Sequence, residues 1–185
     1  MNLILCPTDF SKNATNAVRY AAALAEGISA RVIIIHIYDK PVMFSNAPLT
    51  RIAHAEEQIK ANAEAQMVKL VNQLKRKYKN VSFETMARDG FHAETLLKVA
   101  QKLTVDLIVM GSTGTSKLER LLIGSTTSRI IRDAPCPVLS IPKNAEFKGV
   151  NKIVFATDLN EDNMSSASMI SIFAKKFDAE ISFLF

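Results

Sequence analysis

The sequence predicts an α/β protein with an open, doubly wound, five-stranded parallel sheet, followed by a partial second copy of the pattern (β-α-β). The first observation is that short apolar runs alternate with segments of helical periodicity up to about residue 142. Strands joined by helical crossovers pair in parallel and carry helices on both faces. The second observation is that glycine and polar residues cluster directly after the first and fourth strands, where a doubly wound sheet holds its ligand.

The first strand, helix and second strand are each marked by local signals. The apolar run Leu3–Cys6 stops at Pro7 and predicts a strand. Helical spacing of apolar residues follows, with Ser11 placed to cap the first turn and Gly27 as the expected end. The β-branched run Arg31–Tyr38 is typical of a strand that is buried on both faces of a parallel sheet.

The rest of the first domain continues the alternation. A long helix carries one apolar stripe between Ile52 and Tyr78. The remaining predicted elements are a strand at Val81–Met86, a helix at His92–Leu103, a strand at Leu107–Met110, a helix at Ser125–Asp133 and a strand at Pro137–Ile141. Because crossovers between parallel strands are right-handed, few topologies remain for such a sheet.

Composition and charge exclude several classes of protein. A chain of 185 residues is long enough for one complete domain and something smaller, and 48% hydrophobic with 22% charged residues is a globular composition. The net charge of +5 is scattered along the chain. Its densest run, Lys75–Lys79, is interpreted as a solvated helix end, so nucleic-acid binding is not expected. No apolar run reaches the roughly 20 residues that span a bilayer.

The cysteines and histidines form no recognisable metal or catalytic pattern. Cys6 and Cys136 have no Cys-x-x-Cys partner and are interpreted as small buried side chains in a reducing cytoplasm. The three histidines lie far apart in the sequence, which does not support a zinc site. His36 is expected to be a hydrogen-bonded histidine of the core or its rim.

A glycine-rich segment after the fourth strand reads G-x2-G-x9-G-S-T from Gly111 to Thr126. Glycines at 111, 114 and 124 allow positive φ and close approach of the backbone to an anion. The last of them opens a helix, whose free amides and positive dipole end favour negative charge, and the hydroxyls at 125, 126 and 127 add donors. The segment therefore predicts a phosphate cradle, with a plain turn and helix cap as the alternative.

This segment and its flanks resemble the ATP-binding signature of the universal stress protein family. The matching flanks are Val109–Met110 before the segment, Ser128–Ile131 and Pro135–Val138 after it, and Leu3–Ser11 at the start of the chain. The resemblance covers about residues 1–142. It implies the strand order 3-2-1-4-5 and a bound ATP molecule.

The resemblance also implies which residues meet the nucleotide. Ile37 would contact adenine through its backbone and side chain, with an ordinary core position as the alternative, and Met110 would be both core and pocket wall. The predicted ATP-contacting residues are Pro7, Thr8, Asp9, Ile37, Met110, Gly111, Ser112, Gly114, Gly124, Ser125, Thr126 and Thr127. Family members commonly associate through the last strand. We therefore expect Val138–Ile141 to pair with another chain, as a homo-oligomer, or with the second repeat.

Asp9 has two interpretations. As the acidic residue of a strand-to-helix turn, it would serve only the local backbone. Opposite the glycine loop, its carboxylate would suit a ribose hydroxyl or a magnesium ion that bridges phosphates. Asp9 is therefore the candidate Mg²⁺ ligand of the predicted site.

A second copy of the pattern begins near residue 150. Lys152–Leu159 repeats Leu3–Phe10, and Asp158 follows Asp9 by 149 positions (158 − 9). We expect a nucleotide-binding domain at residues 1–142, a polar linker at 143–149 and an incomplete second repeat without a glycine loop at 150–185. The favoured interpretation is the front of a longer tandem protein.

Three functions stay open. The leading hypothesis is a cytoplasmic, ATP-binding regulator of stress responses in which turnover is slow or absent, because no general base is evident beside the cradle. The second is a slow ATPase or phosphotransferase that positions phosphates with Asp9 and Mg²⁺. The third is a nucleotide-free interaction module, against which the intact glycines argue. P-loop and Rossmann spacings are absent from the sequence.

Overall fold

The computed structural model describes residues 1–40, 49–112, 124–158 and 164–185. Nine elements make up the first part of the chain: β1 (Leu3–Pro7), α1 (Lys12–Ile28), β2 (Arg31–Tyr38), α2 (Leu49–Lys77), β3 (Phe83–Asp89), α3 (His92–Lys102), β4 (Leu107–Gly111), α4 (Ser125–Asp133) and β5 (Val138–Ile141). Three more follow: β6 (Lys152–Ala156), α5 (Met164–Phe177) and β7 (Glu180–Leu184). The chain forms two compact units, residues 1–146 and 147–185.

The first unit is built on one parallel sheet with the order β3-β2-β1-β4-β5, which confirms the predicted order. Leu3 of β1 lies opposite Arg31 of β2, and Ile4 lies opposite Leu107 of β4. The chain winds outward from β1 in one direction through β2 and β3, and in the other through β4 and β5. The order therefore reverses between β1 and β4, and the carboxyl ends of these strands form the crevice in which such folds hold ligands.

One layer of the core joins the sheet to α3 and α4. Alternate residues of each strand point to this face, because side chains alternate between the two faces of a sheet. The buried members are Leu3, Leu5, Ile33, Ile35, Ile37, Ala93, Leu96, Ala100, Val105, Ile108, Met110 and Ile130. Since Ile37 and Met110 stand at the carboxyl ends of their strands, the layer reaches the edge where a ligand would lie.

Helix α1 begins as predicted and ends later. The Ser11 hydroxyl accepts a hydrogen bond from the N–H of Ala14 at 3.1 Å, which is the expected cap. The expected end at Gly27 is wrong, because the helix continues through this residue to Ile28. Ser29 instead takes the left-handed conformation, with φ of 58°, and closes the helix. A glycine inside a helix is tolerated at a modest cost, so Gly27 did not decide the boundary.

Strand β3 lies further along the chain than its apolar pattern indicates. The structure places it at Phe83–Asp89, whereas the pattern predicts Val81–Met86. It pairs with β2 over seven positions, from Phe83 opposite Val32 to Asp89 opposite Tyr38. Hydrogen bonds to the longer neighbouring strand therefore extend β3 into polar residues that carry no apolar signal.

The second unit consists of β6, α5 and β7, with the two strands paired in parallel. Its aromatic rings contact one another: the centroids of Phe147 and Phe177 are 5.8 Å apart, and those of Phe173 and Phe177 are 6.3 Å apart. In the described part of this unit, Ala174 is the one buried hydrophobic residue. Its packing is therefore much thinner than that of the first unit.

The sequence repeat recurs in the backbone of the two units. Lys152 lies opposite Glu180, as Leu3 lies opposite Arg31, and each of the later residues follows its counterpart by 149 positions (152 − 3 and 180 − 31). The same left-handed turn also recurs 149 positions later (178 − 29), with φ of 58° in the first copy and 53° at Asp178. In both copies the next N–H bonds to the carbonyl five residues before it, at 3.0 and 2.9 Å. The two segments therefore share strand register and turn geometry.

Across the described part of the chain, the helices lack the combination of length and apolar character that crossing a membrane requires.

Candidate functional site

A cleft of about 360 Å³ opens at the carboxyl ends of β1, β2 and β4. This is the edge at which the strand order reverses, so the fold itself places the cleft there. The described residues that line it are Pro7, Thr8, Asp9, Ala14, Ile35, Ile37, His92, Leu96, Met110, Gly111, Gly124, Ser125, Thr126, Thr127 and Ile130. The cleft therefore combines apolar strand ends with the start of a helix.

Ten of the residues singled out in the sequence line this cleft together. They come from both predicted clusters and are Pro7, Thr8, Asp9, Ile37, Met110, Gly111, Gly124, Ser125, Thr126 and Thr127. Ser112 is not among the described lining residues. Its backbone joins neighbouring segments instead, because its N–H donates to Ile141 at 3.0 Å and its carbonyl accepts from Gly124 at 3.3 Å. Gly114 lies outside the described residues.

Helix α4 directs unpaired amides into the cleft. Gly124 is its N-cap residue and supplies no side-chain hydrogen bond to the first turn. The N–H of Ser128 makes the first bond of the helix, to the Gly124 carbonyl at 2.8 Å. The amides of residues 125–127 precede this bond, so helix geometry leaves them without a partner inside the helix. Together with the positive end of the helix dipole, they favour an anion.

The Thr127 hydroxyl is used by the protein itself. The residue is 4% exposed, and its Oγ1 donates to the Gly111 carbonyl at 3.4 Å. In this structure the hydroxyl hydrogen of Thr127 is therefore used within the protein. Ser125 and Thr126 are exposed at the helix start.

The glycines at 111 and 124 do not take the expected positive φ. Gly124 has φ of −59°, and among the described glycines only Gly90 and Gly149 lie in the positive region. Gly111 is required for a different reason: a Cβ on it would lie 2.9 Å from Nδ2 and 3.1 Å from Cγ of Asn13. The missing side chain therefore lets the first turn of α1 pack against the end of β4.

The loop from Pro7 to Phe10 is held by a small set of hydrogen bonds. Asp9 is exposed, and its Oδ1 accepts the N–H of Ser11 at 2.9 Å, while Thr8 Oγ1 accepts the N–H of Phe10 at 3.1 Å. Phe10 has φ of 60°, an uncommon conformation for an aromatic residue. Asp9 thus performs the turn role, and it also lines the cleft.

His36 of β2 stabilises this loop through contacts with Thr8 and Phe10. Its Nδ1 lies 2.7 Å from the Thr8 carbonyl, which requires the ring to donate from that nitrogen. Its ring also lies 4.5 Å from that of Phe10, measured between centroids. The histidine is therefore a hydrogen-bonded residue of the rim, as its position in the sequence predicts.

Sequence reasoning missed five lining residues: His92, Leu96, Ile35, Ile130 and the buried Ala14 of α1. Three of them are core residues whose outer ends reach the cleft, and the apolar pattern identifies only their core role. His92 had a usable signal. It starts α3 directly after β3, four positions before the inward-facing Leu96, and residues four apart lie on one face of a helix.

Charges that follow β2 lie close to partners on β3 and α3. Lys40 Nζ lies 3.1 Å from Asp89 Oδ2, and this hydrogen bond holds the pKa of the Asp89 carboxyl below its usual value. His92 Nδ1 lies 3.9 Å from Asp39 Oδ1. In β1, burial raises the pKa of the Cys6 thiol, so Cys6 behaves as an apolar core residue. Among the described residues, no group of three or more His, Cys, Asp or Glu side chains is placed to hold a metal ion.

Comparison with known proteins finds a similar sequence and a similar fold in universal stress proteins. Residues 1–142 match the model of the universal stress protein family. Universal stress protein MJ0531 of Methanocaldococcus jannaschii is 31% identical over 140 residues, which cover 76% of this chain and 81% of that protein. The structure of universal stress protein UspA from Lactobacillus plantarum is 27% identical and superposes with a TM-score of 0.68, over 76% of this chain and 97% of that one.

Two further structures show the same fold at lower identity. A universal stress protein from Archaeoglobus fulgidus DSM 4304, 16% identical, superposes with a TM-score of 0.74 over 98% of this chain and 66% of that one. A universal stress protein in complex with cAMP, 22% identical, superposes with a TM-score of 0.55 over 77% of this chain and 98% of that one. Since the family model spans the whole first sheet and the strand order agrees with it, the chain belongs to the universal stress protein family.

Proposed function

We propose that this protein is an ATP-binding regulator whose nucleotide lies in the cleft at the ends of β1, β2 and β4. The observation that carries the proposal is the meeting of two surfaces in one cleft. One is the apolar floor of Ile35, Ile37 and Leu96, and the other is the amide-bearing start of α4. A nucleotide has a flat apolar base and an anionic phosphate chain, and it needs both surfaces at once.

The two ends of the cleft differ in chemistry, and this difference would set the orientation of the bound nucleotide. The base would lie against Ile37 and Met110, which are 5% and 7% exposed and belong to the core layer beneath the cleft. The phosphates would lie at the amides of residues 125–127, where Gly111 and Gly124 also line the cleft. Asp9 lines the same cleft, and its carboxylate would meet a ribose hydroxyl or a Mg²⁺ ion held mainly by the phosphates.

A regulatory role fits the chemistry of the cleft better than rapid catalysis. The titratable side chains among the described lining residues are Asp9 and His92. Asp9 is exposed, and its Oδ1 already accepts the N–H of Ser11 within the loop. We infer a nucleotide-controlled switch in a stress response, with slow or no hydrolysis. Unpaired thiols at Cys6 and Cys136 favour a reducing compartment such as the cytoplasm.

One matched pair of variants tests the phosphate end. Thr126→Asp places a carboxylate at the start of α4, where it faces the proposed phosphates. An acidic residue in a first helical turn stabilises the helix, so the fold should be kept. Repulsion between the carboxylate and the phosphates should weaken Mg·ATP binding by roughly 100-fold in titration calorimetry, because juxtaposed like charges cost several kcal/mol.

Ser128→Asp is the control for this experiment. Ser128 is exposed in the same turn of α4 but does not line the cleft. The variant has the same added charge and the same effect on the helix dipole, and it should bind Mg·ATP within about threefold of the wild type. Equal affinity of both variants, with wild-type helix content by circular dichroism, would contradict the assignment of the phosphate end.

A further inference from the structure

His92 stands at the rim of the cleft, above its apolar floor. It is the first residue of α3, its side chain is 49% exposed, and it lines the cleft together with Leu96 of the next turn. Leu96 is 1% exposed and forms part of the floor. A flat ring that rests on this floor would therefore have the imidazole at its edge. The neighbouring Phe91 is 77% exposed and does not line the cleft, so His92 is the aromatic side chain that α3 presents to it.

A charge beside His92 determines which ring nitrogen of the neutral imidazole carries the proton. Asp39 Oδ1 lies 3.9 Å from Nδ1, which leaves Nε2 as the other ring nitrogen. The other charges nearby are engaged elsewhere: Lys40 pairs with Asp89 at 3.1 Å. On α3 itself, Glu94 pairs with Lys98 at 2.6 Å. The Asp39 carboxylate is therefore the charge next to the imidazole, and of the two neutral tautomers it favours the one with its proton on Nδ1.

A neutral imidazole that carries its proton on Nδ1 has a lone pair on Nε2 and is an acceptor there. Adenine presents an exocyclic amino group, a hydrogen-bond donor, at the position where guanine presents the O6 acceptor. An acceptor at the rim would thus meet a donor on adenine and another acceptor on guanine. Two acceptors placed together cost binding energy, because each is left without a partner.

We propose that His92 is the base-selecting residue of the cleft: its Nε2 accepts a hydrogen bond from the 6-amino group of adenine and disfavours guanine. The inference rests on the proposed function, since it requires a nucleotide in the cleft, and it adds the basis of selection between nucleotides. His92 acts on the base alone. The phosphates are assigned to the start of α4 and the base to the floor beside α3, so binding of phosphates and choice of base can be measured separately.

The test measures three ligands against four proteins. The ligands are Mg·ATP, Mg·GTP and Mg·tripolyphosphate, which has the phosphates without a base. The proteins are the wild type, His92→Ala, His92→Phe and His54→Ala. Titration calorimetry is carried out at about pH 8, where an ordinary imidazole is neutral. His54→Ala is the control, because His54 is an exposed histidine of α2 that contacts Gln58 and does not line the cleft.

The wild type should prefer ATP to GTP. His92→Ala should reduce ATP affinity roughly tenfold, because it removes one hydrogen bond and one ring contact, and should reduce the ATP/GTP preference by a similar factor. His92→Phe keeps an aromatic ring without the acceptor, so it should lose the preference while keeping more of the affinity. Tripolyphosphate binding should be the same in all four proteins, and His54→Ala should match the wild type throughout.

The other outcomes overturn the inference in distinguishable ways. If the wild type binds ATP and both His92 variants keep the ATP/GTP preference, His92 does not select the base, while the proposed function stands. If His92→Ala weakens tripolyphosphate as much as ATP, the residue has a general structural role and the base-selecting role is lost. If the wild type binds neither ATP nor tripolyphosphate, the proposed function fails, and the inference fails with it.

Discussion

Gly111 shows how one residue serves the site through packing. The position was singled out because a glycine lets the backbone approach an anion, and the structure adds a contact that no sequence pattern reveals. Its Cα faces the first turn of α1, where a Cβ would lie 2.9 Å from Asn13 Nδ2 and 3.4 Å from the Asn13 carbonyl carbon. The first distance is shorter than ordinary van der Waals contact, so a side chain at residue 111 would require the Asn13 side chain to move.

We therefore expect Gly111→Ala to destabilise the first unit. Overpacking of a tight contact costs about 1–3 kcal/mol, which urea denaturation would measure as a lower midpoint with an unchanged slope. The nearest atoms belong to the Asn13 side chain, so the same substitution should cost about 1 kcal/mol less in an Asn13→Ala background. An equal cost of Gly111→Ala in both backgrounds would show that the contact with Asn13 is not its cause.

Single residues also mark where sequence reasoning stops. Ser11 was identified as a helix cap because its partner lies three residues away, and the structure has that hydrogen bond. His92 was missed because its neighbours in the cleft, Asp9 and Gly124, come from segments far away in the chain. Caps and turns can be identified from a local sequence pattern. A residue at the rim of a cleft can be identified only when the distant segments that form the cleft have come together in the fold.

At the scale of elements, most of the fold could be predicted. The β-branched run of β2 and the alternation of strands with helices define a doubly wound sheet, and the family resemblance supplies the strand order. The predictions that failed were the ends of helices and strands that depend on neighbouring elements or residues. Strand β3 follows the length of β2 across residues 83–89, and α1 passes through Gly27 because Ser29 provides the left-handed turn.

Strand β5 has β4 as its neighbour on one side and stands at the edge of the five-stranded sheet. The Ile108 N–H bonds to the Pro137 carbonyl and the Ser112 N–H bonds to the Ile141 carbonyl, each at 3.0 Å. Since backbone groups alternate in direction along a strand, residues 137, 139 and 141 bond inward and residues 138 and 140 point outward. An edge of this kind is open to pairing with a second chain, and we propose that Val138–Ile141 forms a dimer contact.

Two proline variants test this contact, one at an outward N–H group of β5 and one at an inward N–H group. Ser140→Pro removes an outward N–H, which a free edge does not need, and should give a folded protein that sediments as a monomer. Leu139→Pro removes an inward N–H that bonds to β4 and should destabilise the sheet by about 3 kcal/mol or more. Sedimentation velocity at high protein concentration measures the first effect and urea denaturation the second. A wild type that is already monomeric, or a dimer that survives Ser140→Pro, would count against the proposed edge contact.

At the scale of the whole molecule, the chain contains one complete fold and the elements of a second. Residues 1–146 hold the full five-stranded sheet and the cleft. Residues 147–185 repeat its first strand, helix and second strand, down to the left-handed residue at 178. The A. fulgidus structure superposes on 98% of this chain with 66% of its own length, so the likeness in fold includes the second unit. We propose that residues 150–185 form a second universal-stress-type β-α-β segment.

In its described part, the second unit has more exposed than buried hydrophobic residues. In its described part Ala174 is buried, whereas five large hydrophobic residues are exposed: Val154, Ile172, Phe183, Leu184 and Phe185. A two-stranded sheet with one helix covers a single face, and a segment below about 40 residues rarely folds without disulfides, metals or a partner. The hydrophobic effect therefore gives this segment too little burial to offset the entropy of ordering its backbone.

We therefore expect the isolated peptide 147–185 to be unfolded, and the isolated fragment 1–146 to fold and bind Mg·ATP as the whole chain does. Hydrogen exchange separates the two cases, because amides of a folded unit exchange slowly and those of an unfolded peptide do not. In a dilute, monomeric solution of the peptide, slow-exchanging amides in β6 and β7 would show that the half-repeat folds alone. That result would remove the reason to expect a second set of strands or a partner chain to cover its sheet.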